Sequence, residues 1–399
     1  MILKDKKILL GVTGGIAAFK AASLVSGLKK QKAQVKIIMT EGATHFVSPL
    51  TFQTLSNNPV HIEQFDQMKN MDVEHIALAK WADIIVVAPA TANTIAKINW
   101  GIGDNLLTTV LLAKRCPVLI VPAMNTYMLK NEQTQKNLED LKKKGFLISS
   151  TQNDLLACGD VGQGKMLEPS EIIDLIEYQL TEKDLFGKKF VITAGRTEEA
   201  LDPVRFLSNH SSGKMGFALA KEAFYRGAHV VLIKGPVENK GPKVDKTIDI
   251  ISTEDMFNAV KEEMKDADVI IKAAAPADYR PKFYQKEKIK KNSEKDMTLL
   301  ELEKNPDIAK YVGQVKENRV LVGFAAESTN ELEYGKNKLA SKNMDLIVIN
   351  NIKSQGAGFK SDTNIASIID KSGNLEKFDI MSKEDLAKII IDKVRVLLK

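Results

Sequence analysis

The chain has two cysteines, in contrasting settings. Cys116 opens the apolar run Cys116-Pro117-Val118-Leu119-Ile120-Val121 and reads as core, where a cysteine behaves as a small hydrophobe. Cys158 lies in Ala157-Cys158-Gly159-Asp160-Val161-Gly162-Gln163-Gly164-Lys165-Met166. Its glycines, aspartate and lysine describe a solvent-reachable loop able to carry a thiol to a substrate. Taken alone, such a thiol could be a nucleophile, a redox sensor or a metal ligand.

Other residues with chemical potential fall at turns. Gly11-Val12-Thr13-Gly14-Gly15-Ile16 joins an apolar run to a helical pattern, so its backbone can approach a phosphate at a helix start. No Gly-Lys-Ser/Thr follows and GxGxxG is not spelled, which leaves the phosphate-bearing ligand undefined. Pro89-Ala90-Thr91-Ala92-Asn93-Thr94 and Pro122-Ala123-Met124-Asn125 each follow an apolar run. Their hydroxyls and amides can bond a polar heterocycle or a carboxylate, and can equally cap helices. His75 begins a further helical stretch. In the second half, Ser211-Ser212-Gly213-Lys214 precedes a helix and suits an anion. A serine N-cap accounts for one of these residues but not for Arg205, Asn209 and Lys214 together. No CxxC or HExxH spacing marks a protein metal site.

The elements that must hold these residues read as alternating strands and helices. Short runs apolar at every position span 7–12, 34–39, 83–88 and 117–121, with a helical pattern over 16–30. Such runs indicate strands covered on both faces, hence a parallel sheet built from βαβ units. Ligands of these sheets lie beyond the carboxyl ends of the strands, where the polar turns fall. A helix over 171–180 closes the first half, and the pattern restarts with strands at 190–194, 229–233, 269–273, 320–324 and 346–349. A further strand is expected at 365–369 and a terminal helix at 383–398. The fold class is therefore α/β, with two consecutive Rossmann-like domains over 1–186 and 187–399. The stretch 282–296, rich in Lys and Glu, reads as a flexible loop inside the second domain.

Composition sets the outer bounds. The 399 residues are 44% hydrophobic and 27% charged, ordinary for a soluble globular protein. The net charge of +6 suits anionic small molecules, without the long basic tail that nucleic-acid binding would favour. Two cysteines make no disulfide framework, and no signal peptide or membrane-length apolar run stands out. The expectation is a cytoplasmic protein that engages neither nucleic acid nor membrane.

In this order, His75, the turns at 89–94 and 122–125, and the loop at 157–166 resemble the family of flavin-dependent cysteine decarboxylases. The resemblance covers nearly all of residues 1–180 and implies a flavodoxin-like domain. It places FMN against Gly14, Gly15, Thr40, Thr91, Asn93 and Ala123. It implies that the flavin takes a hydride from a cysteinyl side chain, that the resulting thioaldehyde loses CO2, and that the ene-thiol is reduced. His75 would be base or orienter, Asn125 would grip the carboxylate, and Cys158 would give a proton from a closing flap. Thr91 stands where Ser is usual, Leu129 where an aromatic wall is common and Lys165 where Arg is common.

Residues 193–216 resemble the signature of the phosphopantothenate–cysteine ligases. Lys272 to Tyr279, the lysine-rich loop, Asn305-Pro306-Asp307-Ile308-Ala309, Gly323-Phe324, Lys338 and Lys342 follow in that family's order. The resemblance implies CTP-dependent joining of 4′-phosphopantothenate and cysteine through an acyl-cytidylate. The nucleotide would meet Lys272, Ala273, Ala274, Asp278, Pro306, Asp307, Ile308, Ala309 and Phe324. Lys288, Lys338 and Lys342 would neutralise phosphate charge, with Mg2+ arriving on the CTP. Asn209 would orient the acyl-cytidylate and Arg205 would support it or the substrate. Trimers of the flavin half and dimers of the ligase half are also implied, with sites at subunit interfaces. Arg196 replaces a usual Gly and Pro276 interrupts a usual Ala-Val-Ala-Asp.

Overall fold

The computed structural model describes residues 2–64, 73–155, 161–289, 299–327, 331–351 and 361–398. The chain forms two compact units, Met1–Thr181 and Glu182–Lys399. The junction precedes the expected 186/187 boundary because the intervening residues pack into the second unit. Leu185 is buried in its core, and Asp184 accepts from Arg226 Nε at 2.8 Å and Nη2 at 2.6 Å. Arg226 also donates to Asp392 at 2.6 Å, which ties this segment to the C-terminal helix.

In the first unit, β1 (Lys7–Val12), β2 (Gln34–Met39), β3 (Val60–His61), β4 (Ile84–Ala90), β5 (Val118–Pro122) and β6 (Leu147–Ile148) form one sheet. All pairings are parallel, in the order β3-β2-β1-β4-β5-β6. Without the two-residue edge strand β3, the remaining strands run in the flavodoxin order. Alternation along each strand sends neighbours into different cores. Ile84, Val86 and Ala88 pack with the helices Ala18–Lys30 and Pro169–Leu180. Ile85 and Val87 pack on the other face with Leu106, Leu107 and Leu141. Both faces are thus covered, the reason these runs are apolar throughout. Cys116 packs partly buried against this second core, and burial is the first cause pushing its thiol pKa up. A hairpin of β7 (Gln152–Leu155) and β8 (Val161–Lys165) follows; Cys158 falls between its strands and lies outside the described residues.

The second unit repeats the scheme. Its main strands are β9 (Lys189–Ala194), β12 (His229–Lys234), β13 (Lys246–Asp249), β14 (Val269–Lys272), β17 (Val320–Glu327), β18 (Leu346–Asn351), β19 (Thr363–Asp370) and β20 (Leu375–Ser382). Between them lie two small ribbons, β10 (Glu198–Ala200) with β11 (Phe206–Ser208), and β15 (Tyr279–Pro281) with β16 (Leu302–Lys304). The eight-stranded sheet runs β13-β12-β9-β14-β17-β18-β19-β20. It is parallel as far as β18, and β19 and β20 add antiparallel to its edge. β20 escapes a hydrophobic-run reading because Leu375-Glu376-Lys377-Phe378-Asp379 interleaves charges, as an edge strand with few buried positions does. Of the lysine-rich stretch, residues 282–289 follow β15, with Lys282 N donating to Glu301 O at 3.0 Å, and 290–296 lie outside the described residues. Among the described residues no helix is long and apolar enough to cross a membrane.

Candidate functional sites

Each sheet changes strand order at one point, between β1 and β4 and between β9 and β14. The first unit has a cavity beside that point at the carboxyl ends, and the second has one a strand further on, where β14 and β17 run side by side.

In the first unit a cavity of about 450 Å³ is lined by Gly14, Gly15, Thr91, Ala123 and Asn125, all expected, and by Ile16, Ala17, Phe19, Lys20, Ala92, Met124, Met128, Gly164, Lys165 and Met166. Thr13 sets the floor: its hydroxyl donates to Pro89 O at 2.7 Å and accepts from Thr91 N at 3.2 Å, joining the ends of β1 and β4. Gly14 is required by packing, since a Cβ there would lie 2.8 Å from the Gly42 carbonyl carbon. At Gly15 a Cβ would meet only Thr91 Cγ2 at 3.7 Å, so the backbone stays open to a ligand. Thr91 also caps the helix Ala92–Trp100, its Oγ1 accepting from Thr94 N at 3.3 Å. Asn125 caps Thr126–Lys130 by accepting from Tyr127 N at 2.8 Å. Apolar walls with a glycine turn and a few amides and hydroxyls fit a flat heterocycle bearing a phosphate.

The hairpin is pinned to this cavity. Met124 N donates to Gly164 O at 3.0 Å, and Thr126 Oγ1 donates to Gln163 O at 2.7 Å. Gly164 has φ +133°, and a Cβ there would lie 2.2 Å from Met124 O, so only glycine permits the approach. Lys20, which sequence reasoning passed over, is buried and donates to Met166 O at 3.2 Å and to Glu168 at 2.7 Å. Its only sequence signal is a lysine on the helix face otherwise occupied by Ala21, Leu24 and Leu28.

Three expected residues stand outside the cavity lining. Thr40 starts the turn whose Gly42 packs on Gly14. Asn93 is exposed on the helix after β4. His75 is half-buried on the helix Glu74–Trp81, where its neighbour Glu74 bonds His61. Leu129, expected near the pocket as a lost aromatic wall, is 7% exposed and belongs to the core against Leu138. Met128, one residue earlier, is the side chain that lines the cavity.

In the second unit a cavity of about 460 Å³ is lined by Lys272, Ala274, Asp278, Pro306, Asp307, Ile308, Ala309, Phe324, Lys338 and Lys342, all expected. Pro276, Ala277, Tyr279, Lys304, Asn305, Gly323 and Met344 complete it, while the expected Ala273 is not part of the lining. Asp307 caps the helix Ile308–Val315 through Lys310 N at 3.0 Å and holds Lys342 at 3.0 Å. Burial works to raise the Asp307 carboxyl, but the Lys310 N–H and Lys342 outweigh it and hold it below its usual range. Lys272 is 6% exposed, and its ammonium approaches Met256 Sδ at 3.9 Å. Burial pushes its pKa down to about 7, with Asp307 opposing and Lys342 adding to the shift. Asn305 Nδ2 donates to Ala277 O at 2.9 Å, while its Oδ1 is buried without a partner.

Asn209, Arg205 and Lys288 are not in this cavity's lining, and of the three Asn209 bonds one of its loops. Asn209 Nδ2 donates to Pro276 O at 3.0 Å, so the loop that departs from the family pattern at Pro276 meets Asn209 through that residue's carbonyl. Arg205 pairs with the buried Asp202 at 2.8 Å and donates to Ile289 O at 2.6 Å. Ile289 N returns a bond to Asp202 at 3.1 Å. Burial of Asp202 would raise its carboxyl, but the N–H groups of Ile289, Val204 and Arg205 and the Arg205 guanidinium hold it down to about 2. Arg205 thus fastens the near end of the lysine-rich loop, leaving Lys288 exposed next to the anchor. Arg196 pairs with Glu198 at 3.2 Å. Among the described residues no group of three or more His, Cys, Asp or Glu could hold a metal ion.

Family models match both units: Flavoprotein over residues 2–181, and DNA/pantothenate metabolism flavoprotein C-terminal domain over residues 185–397. The chain is 46% identical over 402 aligned residues to the Coenzyme A biosynthesis bifunctional protein CoaBC of Bacillus subtilis (strain 168), covering 100% of this chain and 98% of that protein. It is 41% identical to the CoaBC of Escherichia coli (strain K12) over 397 residues, covering 99% and 98% of the two chains. Among solved structures, the FMN binding protein AtHal3 is 33% identical with a TM-score of 0.39, covering 43% of this chain and 95% of that one.

Proposed function

The chain belongs to the family of coenzyme A biosynthesis bifunctional proteins, and from that premise we propose the chemistry of its two halves. The second unit joins 4′-phosphopantothenate to cysteine, and the first decarboxylates the phosphopantothenoylcysteine to 4′-phosphopantetheine. The observation that carries this is the full-length match, with both halves in order along a relative covered to 98% of its length.

In the ligase half the nucleotide is CTP. The substrate carboxylate attacks its α-phosphorus, pyrophosphate leaves, and an acyl-cytidylate forms. Cysteine's amine then attacks the acyl carbon and CMP leaves. Lys338 and Lys342, at the cavity wall, neutralise phosphate charge, as does Lys288 when the hairpin loop closes. Lys342 gives up part of its pairing with Asp307 to do so. Asn209 orients the acyl-cytidylate, while Arg205 acts by holding the loop base through Asp202. Mg2+ is brought by the triphosphate.

In the decarboxylase half the flavin would be FMN, and Gly14, Gly15, Thr91, Ala123 and the apolar walls of the cavity would hold it, with Thr40 and Asn93 at its margins. When bound, it supplies the two-electron oxidation and reduction of the substrate's cysteinyl end. Asn125 receives the carboxylate, and Lys165 offers a cation at the hairpin. Cys158 returns a proton from its thiol to the substrate carbon, and His75 serves as base or orienter. Trimers of the flavin half and dimers of the ligase half, with sites at subunit interfaces, belong to this reading, as does a cytoplasmic location.

The test is turnover of 4′-phosphopantothenate and cysteine with CTP or ATP, following pyrophosphate and CO2 together. Coupled release with CTP, from a yellow preparation, is expected. A colourless protein, or release of neither product, would overturn the reading.

A further inference from the structure

We propose that a third cavity, between the starts of the helices Lys214–Tyr225 and Lys383–Leu397, binds the phosphate of a phosphorylated small molecule at a site separate from the nucleotide cavity. The two cavities lie on opposite faces of one sheet. Both of these helices pack into the core holding Ile192, Val230 and Leu232. The nucleotide cavity instead uses the helix Ile308–Val315, which packs with Val191 and Val231. Successive strand residues point to opposite faces, so these cores are separated by the sheet itself.

The third cavity measures about 650 Å³, within the range of small-molecule sites. Four lysines line it, Lys214, Lys221, Lys240 and Lys383, against the carboxylates Asp362 and Glu384. Lys383 makes this a built site and not a surface accumulation of charge. It is 7% exposed, and its ammonium donates to Ser361 O at 2.6 Å. Burial, then the nearby Lys214, push its pKa down, with Asp362 opposing. An ammonium held out of water beside a second cation is costly, and a dianion entering the cavity offsets that cost. Lys214 is bridged to Asp362 at 2.6 Å, and Asp362 is 88% exposed in its side chain. A phosphate can therefore displace it into water at little loss.

The rest of the cavity suits the carbon skeleton of such a ligand. Phe217 and Pro242 form an apolar wall, and the loop after β12 lies on the Phe217 ring, where a Cβ on Gly241 would sit 3.1 Å from Cε1. The helix starts, of 12 and 15 residues, add their positive ends to the lysine cluster. The shared chemistry is a phosphate monoester, carried by the acid substrate of the ligase reaction or by a separate effector.

The probe is labelled inorganic phosphate, dialysed to equilibrium against the full chain loaded with its flavin. Wild type should show a binding step that K221Q/K240Q weakens about tenfold, or about 1.4 kcal/mol. K338Q/K342Q should retain that step. K240Q alone, at an exposed loop residue, should weaken it partially, which guards against a folding defect in the double variant. Identical phosphate titrations of wild type, K240Q and K221Q/K240Q overturn the proposal. Steady-state kinetics then separate the sources. A raised KM for 4′-phosphopantothenate at unchanged kcat in K221Q/K240Q identifies the substrate as occupant. An unchanged KM together with the lost phosphate step identifies a separate phosphorylated effector.

Discussion

Lys272 carries its charge in a place that opposes charge. In water a lysine stays protonated far above neutrality, but burial brings this one down to about 7. At pH 8 the empty cavity therefore holds mostly the neutral amine. A triphosphate arriving beside it favours the ammonium and raises that pKa, so binding should take up a proton. Because protonation is the tight-binding state, affinity should rise as pH falls from 8 toward 7. Calorimetric titration of CTP in two buffers of different ionisation enthalpy should show uptake approaching one proton per site at pH 8, absent in Lys272→Met. Equal heats in both buffers for wild type would remove Lys272 from nucleotide binding. Stability carries the matching sign. The unfolded chain binds this proton up to about 10.5, so this group's contribution to stability rises with pH between about 7 and 10.5. In the other unit, Cys158→Ser should leave CTP-dependent pyrophosphate release intact and stop CO2-linked product formation at an oxidised intermediate. Normal yield of the reduced thiol product would show that Cys158 is not the proton donor.

At the scale of elements, two loops are held by backbone contacts that dictate particular residues. β8 lies so close to the turn after β5 that Gly164 has no room for a side chain. Gly164→Ala should force the hairpin off this turn, at roughly 1–3 kcal/mol of local strain. Flavin content and decarboxylation should fall at least tenfold while ligation stays within twofold of wild type, readable from absorbance and from CO2 and pyrophosphate release. Full flavin occupancy would mean that the hairpin can carry its thiol without this contact. In the second unit, Asp202 plays the comparable part, gathering Arg205 and Ile289 so that the lysine-rich loop starts from a fixed point. Lys288 stands one residue before this anchor and is exposed.

At the scale of the molecule, the two units have separate sheets, separate cores and separate cavities. Damage to one chemistry should therefore spare the other. Lys338→Gln with Lys342→Gln should cut ligase kcat/KM at least a hundredfold, yet supplied phosphopantothenoylcysteine should still release CO2 at the wild-type rate. Loss of both activities in that variant would show that the halves depend on each other.

Sequence by itself determined the alternation of strand and helix, the repetition of that scheme, and the turns at the strand ends that build both cavities. It could do so because fully buried parallel strands demand unbroken apolar runs, and because ligands gather where those runs stop. Ten of the nucleotide-site residues it singled out line one cavity. Tertiary structure alone decided what those runs do not encode. The edge strand β20 hides its pairing behind exposed charges. Lys20 reaches its cavity across more than a hundred residues to Met166 and Glu168, and Arg205 is committed to a loop base through Asp202. The setting of Cys158 shows the division plainly. Its glycines mark a loop in the sequence, but only the tertiary contact of Gly164 with Met124 shows that the following strand lies against the turn after β5. Local pattern records what each residue needs from its own neighbours in the chain. Contacts between distant segments depend on how two sheets pack their helices and loops, and no local pattern carries that information.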